Sequence, residues 1–132
     1  MLSVGEIGTL RLQRDRPAEQ RLSLQLRPGF HVNSNKPNDE YLIPLKLTWN
    51  TPPGIEAGPV DYPSPTQGKS DFSEKPLSVF DGAFQIVTHF RAGAAAAPPA
   101  GTITGKLRYQ ACNNRECLQP KTIELKLPYE ID

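Results

Sequence analysis

The sequence lacks the features that mark several common protein classes. No apolar run approaches the roughly 18 residues that a membrane-spanning helix needs. The 15 basic and 14 acidic residues give a net charge of +1, without a basic run or an acidic tail. Nucleic acid and anionic membranes are therefore poor partners, and we expect no nucleic-acid binding.

Motifs for phosphate binding and hydrolysis are also missing. The sequence has no glycine-rich phosphate loop, no G-x-S-x-G stretch and no H-E-x-x-H stretch. Its two cysteines alone cannot complete a four-ligand zinc site, and His31 and His89 lie far from them in sequence. A Cys–His nucleophile pair would need one of these histidines to fold close to a cysteine. A nucleophilic cysteine also works without a second cysteine, so the presence of two argues against this chemistry. We therefore expect neither a metal nor a cofactor.

The first residues, Met1 to Val4, lack the charged and apolar regions of a signal peptide. Such a start suits a cytosolic protein, or a mature domain whose export signal and neighbours are missing. An intended disulfide favours the second interpretation. The length of 132 residues predicts one domain over 1–132, with a real hydrophobic core.

Fourteen prolines and ten glycines are too many for a helical protein of this size and suit short strands joined by turns. In Arg21–Arg27, leucines alternate with polar residues, which predicts a strand with one buried face. Further strands are predicted at 8–13, 41–49, 83–91, 102–109 and 122–127, with short ones near 30–32, 55–62 and 77–80. Seven to nine strands without a helix predict an antiparallel sandwich of two sheets.

Four local predictions complete the pattern. Residues 14–20 are expected to form a loop or a single helical turn, and residues 63–76 the longest irregular stretch. Long loops in compact domains are often functional. Pro128 is expected to end the last strand, and His89 to be solvated.

The chain is organised around the stretch from Tyr109 to Pro120, which holds both cysteines. Extended chain would separate Cys112 and Cys117 by about 17 Å, whereas a disulfide needs Cα atoms roughly 4.4–6.8 Å apart. The two can bridge only if the polar residues 113–116 fold back as a turn, and Asn-Asn favours turns. We predict a small disulfide loop on the surface.

Spacing alone leaves three functions open for this loop. A structural staple is one, although a ring of about six residues contributes only roughly 2 kcal/mol in the loop-closure model. A redox pair open to an attacking thiolate is the second. Metal binding, or a pair of free thiols, is the third. The single methionine and the distant histidines argue against a metal chaperone.

The segment Tyr109-Gln110-Ala111-Cys112-Asn113-Asn114-Arg115-Glu116-Cys117-Leu118-Gln119-Pro120-Lys121-Thr122 resembles the active-site segment of the DsbD N-terminal domain family. That family comprises the periplasmic domain of the thiol:disulfide interchange protein DsbD and related redox proteins. Residues 29–37 and 41–44, and the Tyr62-Pro63 pair, are similar to other parts of the family. The resemblance covers roughly residues 4–127.

The resemblance implies an immunoglobulin-like antiparallel β-sandwich and a redox function in the periplasm. Such a domain accepts electrons from a thioredoxin-like domain, itself reduced through a membrane-embedded domain, and passes them to oxidised periplasmic thiol proteins. Cys112 and Cys117 would be the redox pair, with Cys117 forming the mixed disulfides. The family's longer members imply a domain excised from a larger membrane redox protein and tethered to the inner membrane in the full-length chain, or else a stand-alone member.

The family also shields its disulfide with a cap loop that carries an aromatic residue. The best match here is Asp71-Phe72, with Phe72 over the sulfurs, while Tyr41 and Tyr109 would help to line the site. A mobile cap would block unwanted oxidants and open for the right partner. The competing hypothesis is a non-catalytic immunoglobulin-like binding module whose disulfide only clips the loop.

Overall fold

The computed structural model describes residues 2–37, 42–70, 73–94, 99–113 and 115–132. These residues form strands and connections without a helix, as the sequence predicts. The twelve strands are β1 (Leu2–Val4), β2 (Leu10–Leu12), β3 (Pro17–Leu26), β4 (His31–Asn33), β5 (Lys46–Asn50), β6 (Ile55–Asp61), β7 (Thr66–Ser70), β8 (Ser73–Asp81), β9 (Ala83–Ala92), β10 (Ala100–Tyr109), β11 (Ala111–Cys112) and β12 (Lys121–Ile131).

The strands form three four-stranded sheets. The first has the order β1-β3-β9-β6, the second β2-β12-β10-β5, and the third β11-β4-β8-β7. The pairs are antiparallel, except that β2 runs parallel to β12. The predicted antiparallel sandwich is confirmed, although the outer strands are divided between more short segments than the sequence suggested.

The first and second sheets pack face to face. The alternating leucines of β3 (Leu22, Leu24 and Leu26) are buried in the same cluster as Leu107 of the second sheet. Across the interface the Trp49 ring meets Phe90 edge-on, with ring centroids 5.5 Å apart. These contacts bury the faces that the two-residue alternation assigned to the core.

The Trp49 indole N–H donates to the Thr88 hydroxyl oxygen at 3.0 Å. Thr88 is fully buried, so Thr88→Val would keep the shape of the core but leave the indole N–H without its acceptor. We expect a loss of about 1–3 kcal/mol in the free energy of unfolding, the usual cost of an unsatisfied buried donor. Urea denaturation measures it. The control Thr48→Val, at an exposed position on neighbouring β5, should change little, and equal losses in both variants would contradict the assignment.

The third sheet continues the first one across a bend. Pairing of β3 with β9 runs to Gln25↔Ala83, and pairing of β4 with β8 begins at His31↔Asp81. The Leu26 amide donates to the Gly82 carbonyl at 2.9 Å between the two ladders, and Gly82 has a φ of 62°. Positive φ is easy for glycine, which explains why the chain bends here. The bend places β4 beside β11, the strand that carries the first cysteine.

The prediction of an irregular stretch over residues 63–76 was wrong. Most of it belongs to a hairpin of β7 and β8, paired at Thr66↔Val79, Gln67↔Ser78 and Gly68↔Leu77. Prolines and small polar residues have low strand propensity, but pairing with β4 supplies a partner ladder that local sequence does not reveal. Tertiary pairing therefore overrides the local signals.

Two strand boundaries also differ from the prediction, and both involve proline. The expected loop at 14–20 gives way to β3 from Pro17, the first residue of the strand, where proline is tolerated. Pro128 does not end β12, which continues to Ile131. The parallel partner β2 pairs only from Tyr129 onward, so at Pro128 the strand has a neighbour on one side only. A missing N–H costs no ladder bond on an unpaired side.

Candidate functional site

Cys112 and Cys117 are joined by a disulfide, with an S–S distance of 2.08 Å and Cα atoms 4.0 Å apart. The chain between them folds back as the turn that the sequence predicts. The Asn113 amide donates to the Glu116 carbonyl at 2.9 Å. The Asn113 side-chain oxygen accepts from the Arg115 amide at 2.8 Å and from the Glu116 amide at 2.9 Å. Asparagine is suited to this role because its side chain can replace a backbone acceptor.

The base of the loop is held by bonds that do not involve sulfur. The Leu118 amide donates to the Ala111 carbonyl at 2.8 Å, and the Gln110 side-chain amide donates to the Leu118 carbonyl at 3.1 Å. Ala111 is also paired with Val32 of β4. The position of the loop therefore does not depend on the disulfide alone.

The two cysteines differ in exposure. Cys112 is 0% exposed, whereas Cys117 is half-buried. The predicted surface loop is thus at the surface on its Cys117 side, where Arg115 and Glu116 are exposed, and buried on its Cys112 side. Thiol–disulfide exchange needs access for an attacking thiolate to one sulfur of the bridge. Of the two cysteines, Cys117 is the one that retains solvent exposure, whereas Cys112 has none.

The structure places Tyr109 in the hydrophobic core at the end of β10, 4% exposed. Burial raises the pKa of its phenol, so the group stays neutral at physiological pH. Tyr41, Asp71 and Phe72, which were expected to form the cap or line the site, lie outside the described residues.

His31 lies directly opposite Cys112 in the β4–β11 ladder, and Asp81 lies opposite His31 in the β4–β8 ladder. His31 is half-buried, and its Nε2 atom is buried without a hydrogen-bond partner among the described residues. Burial lowers the pKa of His31, and the nearby Asp81 carboxylate opposes that effect. A histidine beside Cys112 could not be predicted from the sequence, because only the register of three strands distant in sequence brings these residues together.

Within the described ranges, no helix is both long and apolar enough to cross a membrane. In the same part of the chain, no three or more His, Cys, Asp or Glu side chains are grouped as metal ligands would be.

The family model described as "Thiol:disulfide interchange protein DsbD, N-terminal" matches residues 1–128. The chain belongs to this family. The resemblance that the cysteine segment suggested is thereby confirmed for nearly the whole chain. The DsbD N-terminal domain family is part of thiol:disulfide interchange machinery, and the disulfide of this member fits a role in thiol–disulfide exchange.

Solved structures support the same fold. The N-terminal periplasmic domain of ScsB from Proteus mirabilis matches with a TM-score of 0.64 at 16% identity, covering 90% of this chain and 43% of the ScsB chain. The reduced DsbD N-terminal domain from Neisseria meningitidis matches with a TM-score of 0.57 at 14% identity, covering 83% of this chain and 76% of that one. The chain is thus an immunoglobulin-like β-sandwich, and the match spans less than half of the ScsB chain. No curated protein sequence matches the chain significantly.

Proposed function

We propose that the domain is a periplasmic thiol–disulfide exchange module that works through the Cys112–Cys117 pair. It accepts electrons from a thioredoxin-like domain, itself reduced through a membrane-embedded domain, and passes them to oxidised envelope proteins. The family match supports the exchange chemistry, and the periplasmic ScsB relative supports the compartment. The observation that carries the proposal is the unequal exposure of the two cysteines.

Unequal exposure gives the exchange a defined order. A partner thiolate attacks the Cys117 sulfur, the Cys112–Cys117 bond breaks, and the electron pair stays on the Cys112 sulfur. A second partner thiol then attacks the partner's own sulfur in the mixed disulfide. Cys117 leaves as a thiolate, and both cysteines of the domain are reduced. Delivery of electrons to an oxidised protein follows the same steps in reverse.

The remaining parts of the proposal concern the surroundings of the pair. Asp71 and Phe72 belong to the proposed cap, and Tyr41 and Tyr109 to the proposed lining of the site. The domain itself is proposed to be one unit of a larger membrane redox protein, tethered to the inner membrane in the full-length chain. The cap would limit access to Cys117, the half-buried end of the bridge.

The full burial of Cys112 favours one second candidate, a non-catalytic binding module. A buried cysteine is typical of a structural disulfide, which would only clip the loop. If this candidate is correct, a Cys112→Ser/Cys117→Ser variant should bind its protein partner as well as the native domain does, whether the native domain is oxidised or reduced.

The reduction potential of the pair tests the proposed function. Equilibration with glutathione buffers should give a value of about −180 to −270 mV, the range of proteins that exchange electrons with thiol partners. The expectation follows from the family match, since this family takes part in thiol:disulfide interchange. A value below about −300 mV is typical of structural disulfides and would support the binding module instead.

A further inference from the structure

Cys112, His31 and Asp81 form one row across the third sheet. They are direct partners in two adjoining ladders, β11 with β4 and β4 with β8. Directly opposite residues in antiparallel strands point to the same face, with Cβ atoms about 4.5–5.5 Å apart. The three side chains therefore stand side by side, with the histidine in the middle.

The neighbouring row shows which face this is. The adjacent row of paired residues consists of Ala111, Val32 and Phe80, each one position along its strand from a member of the Cys112 row. All three are buried in the main hydrophobic cluster. Because successive residues of a strand point to opposite faces, the row of Cys112 faces away from that cluster. His31 consequently borders a surface cleft, which is also lined by Arg27 and Asp81.

Resolution of a mixed disulfide at Cys117 requires Cys112 as a thiolate. The thiolate, not the thiol, is the nucleophile, and burial away from water raises the pKa of a thiol. Cys112 has no contact with solvent, so water cannot take its proton directly. The step therefore needs a proton acceptor within the protein.

We propose that His31 is this acceptor, with the neighbouring Asp81 carboxylate stabilising the imidazolium that forms, and that His31 activates Cys112 as the resolving cysteine. The inference rests on the proposed exchange function and deepens it. The Cys112 proton passes to the imidazole, and the Cys112 sulfur attacks the Cys117 sulfur of the mixed disulfide. The Cys112–Cys117 bond forms as the bond from Cys117 to the partner breaks, and the partner sulfur leaves with the electron pair as a thiolate.

Two observations fit the acceptor role. The buried Nε2 of His31 has no hydrogen-bond partner among the described residues, so its lone pair is not already committed. Burial lowers the pKa of His31, which keeps the ring neutral and able to accept a proton at neutral pH. A sulfur, a base and a carboxylate in neighbouring positions follow the general logic of activated nucleophiles.

The test uses the reduced domain and 5,5′-dithiobis(2-nitrobenzoate) as the probe. The Cys117 thiolate attacks the probe, releases a first equivalent of thionitrobenzoate and forms a mixed disulfide with the other half of the probe. Cys112 then attacks the Cys117 sulfur and releases the second equivalent of thionitrobenzoate. Stopped-flow absorbance separates the two phases. In His31→Gln the second phase should slow at least tenfold, because a positioned base typically contributes about 10²–10⁴-fold. The first phase should keep its native rate.

His89→Gln is a matched control. His89 also lies near a carboxylate, 3.8 Å from Asp61, but it is exposed on β9 and far from the cysteine loop in the sheet order. Both phases should be native in this variant. Asp81→Asn changes an exposed side chain and should slow the second phase severalfold, which keeps the test valid if His31→Gln folds poorly.

The pH profile separates proton transfer from a structural effect. The charged groups that border His31 are Asp81 on β8 and Arg27 in the turn before β4, with the Cys112 thiol opposite on β11. In the native domain the second-phase rate should level off above the pKa of His31. In His31→Gln it should continue to rise with pH until the Cys112 thiol itself ionises.

A native second phase in both His31→Gln and Asp81→Asn, or an unchanged pH profile, would overturn the role of His31. Failure of the proposed function would look different. The native domain would then not exchange with any thioredoxin-like protein, even if its two phases with the small probe depended on His31.

Discussion

Cys117→Ser is expected to abolish electron transfer through this domain, whereas Cys112→Ser is expected to trap a mixed disulfide. The half-buried Cys117 is the sulfur that a partner can reach, and Cys112 is shielded from solvent. Removing Cys117 leaves a single buried thiol, which cannot reach the disulfide of a partner. Removing Cys112 leaves Cys117 free to bond to a partner, with no second thiol in the domain to release it.

The trap is measured with a thioredoxin-like protein that lacks its own resolving cysteine and whose remaining cysteine carries a thionitrobenzoate group, which leaves as a thiolate when the Cys117 thiolate attacks the partner sulfur. Non-reducing electrophoresis should show a covalent complex with Cys112→Ser and none with Cys117→Ser, and mass spectrometry of the linked peptides should identify Cys117. Cys112→Ser/Cys117→Ser is the control for non-specific association. A complex linked through Cys112 would show that the order of attack is the opposite of the one proposed.

Gly105→Ala is expected to destabilise the fold by about 3 kcal/mol, at the upper end of the usual cost of overpacking. Gly105 faces Trp49 in the β5–β10 ladder. A Cβ atom at Gly105 would lie 2.6 Å from Cε3 and 2.7 Å from Cζ3 of that indole, and 3.2 Å from the Thr48 carbonyl oxygen. The indole cannot move aside freely, because it is bonded to Thr88 and packed against Phe90.

The measurement is the denaturant midpoint, compared at an unchanged slope so that the shift reports stability alone. Gly8→Ala is the matched control, since a Cβ atom there meets no other atom within 4 Å. It should unfold within a few tenths of a kcal/mol of the native domain, as surface substitutions usually do. A Gly105→Ala variant as stable as Gly8→Ala would mean that Trp49 does not occupy this position in solution.

Local alternation predicted the strands that bury one face and expose the other. The buried Leu22, Leu24 and Leu26 of β3 were assigned to the core correctly, and so was the exposed position of His89. The hairpin of β7 and β8 was missed because its strands are held by pairing with each other and with β4, and not by their own composition. The extension of β12 past Pro128 was missed because Pro128 has a neighbouring strand on one side only. That arrangement depends on the pairing of the whole sheet and not on the local sequence.

The candidate site divides in the same way. The turn between Cys112 and Cys117 could be predicted because it depends on a short distance and on the chemistry of Asn113. The difference in burial between the two sulfurs could not, because it depends on the elements that pack around the loop. The position of His31 opposite Cys112 could not be predicted either, because it depends on the register of β4 against β11. A shift of one residue would separate the pair.

The hydrogen bonds at the base of the cysteine loop bear on the direction of electron flow. Because the bonds from Leu118 to Ala111 and from Gln110 to Leu118 involve no sulfur, breaking the disulfide removes none of them. We therefore expect the oxidised and reduced domains to present similar surfaces, so that a partner meets little conformational difference between them. If the domain exchanges electrons as proposed, the relative potentials of donor and acceptor then set the direction of electron flow, and the domain can pass electrons either way.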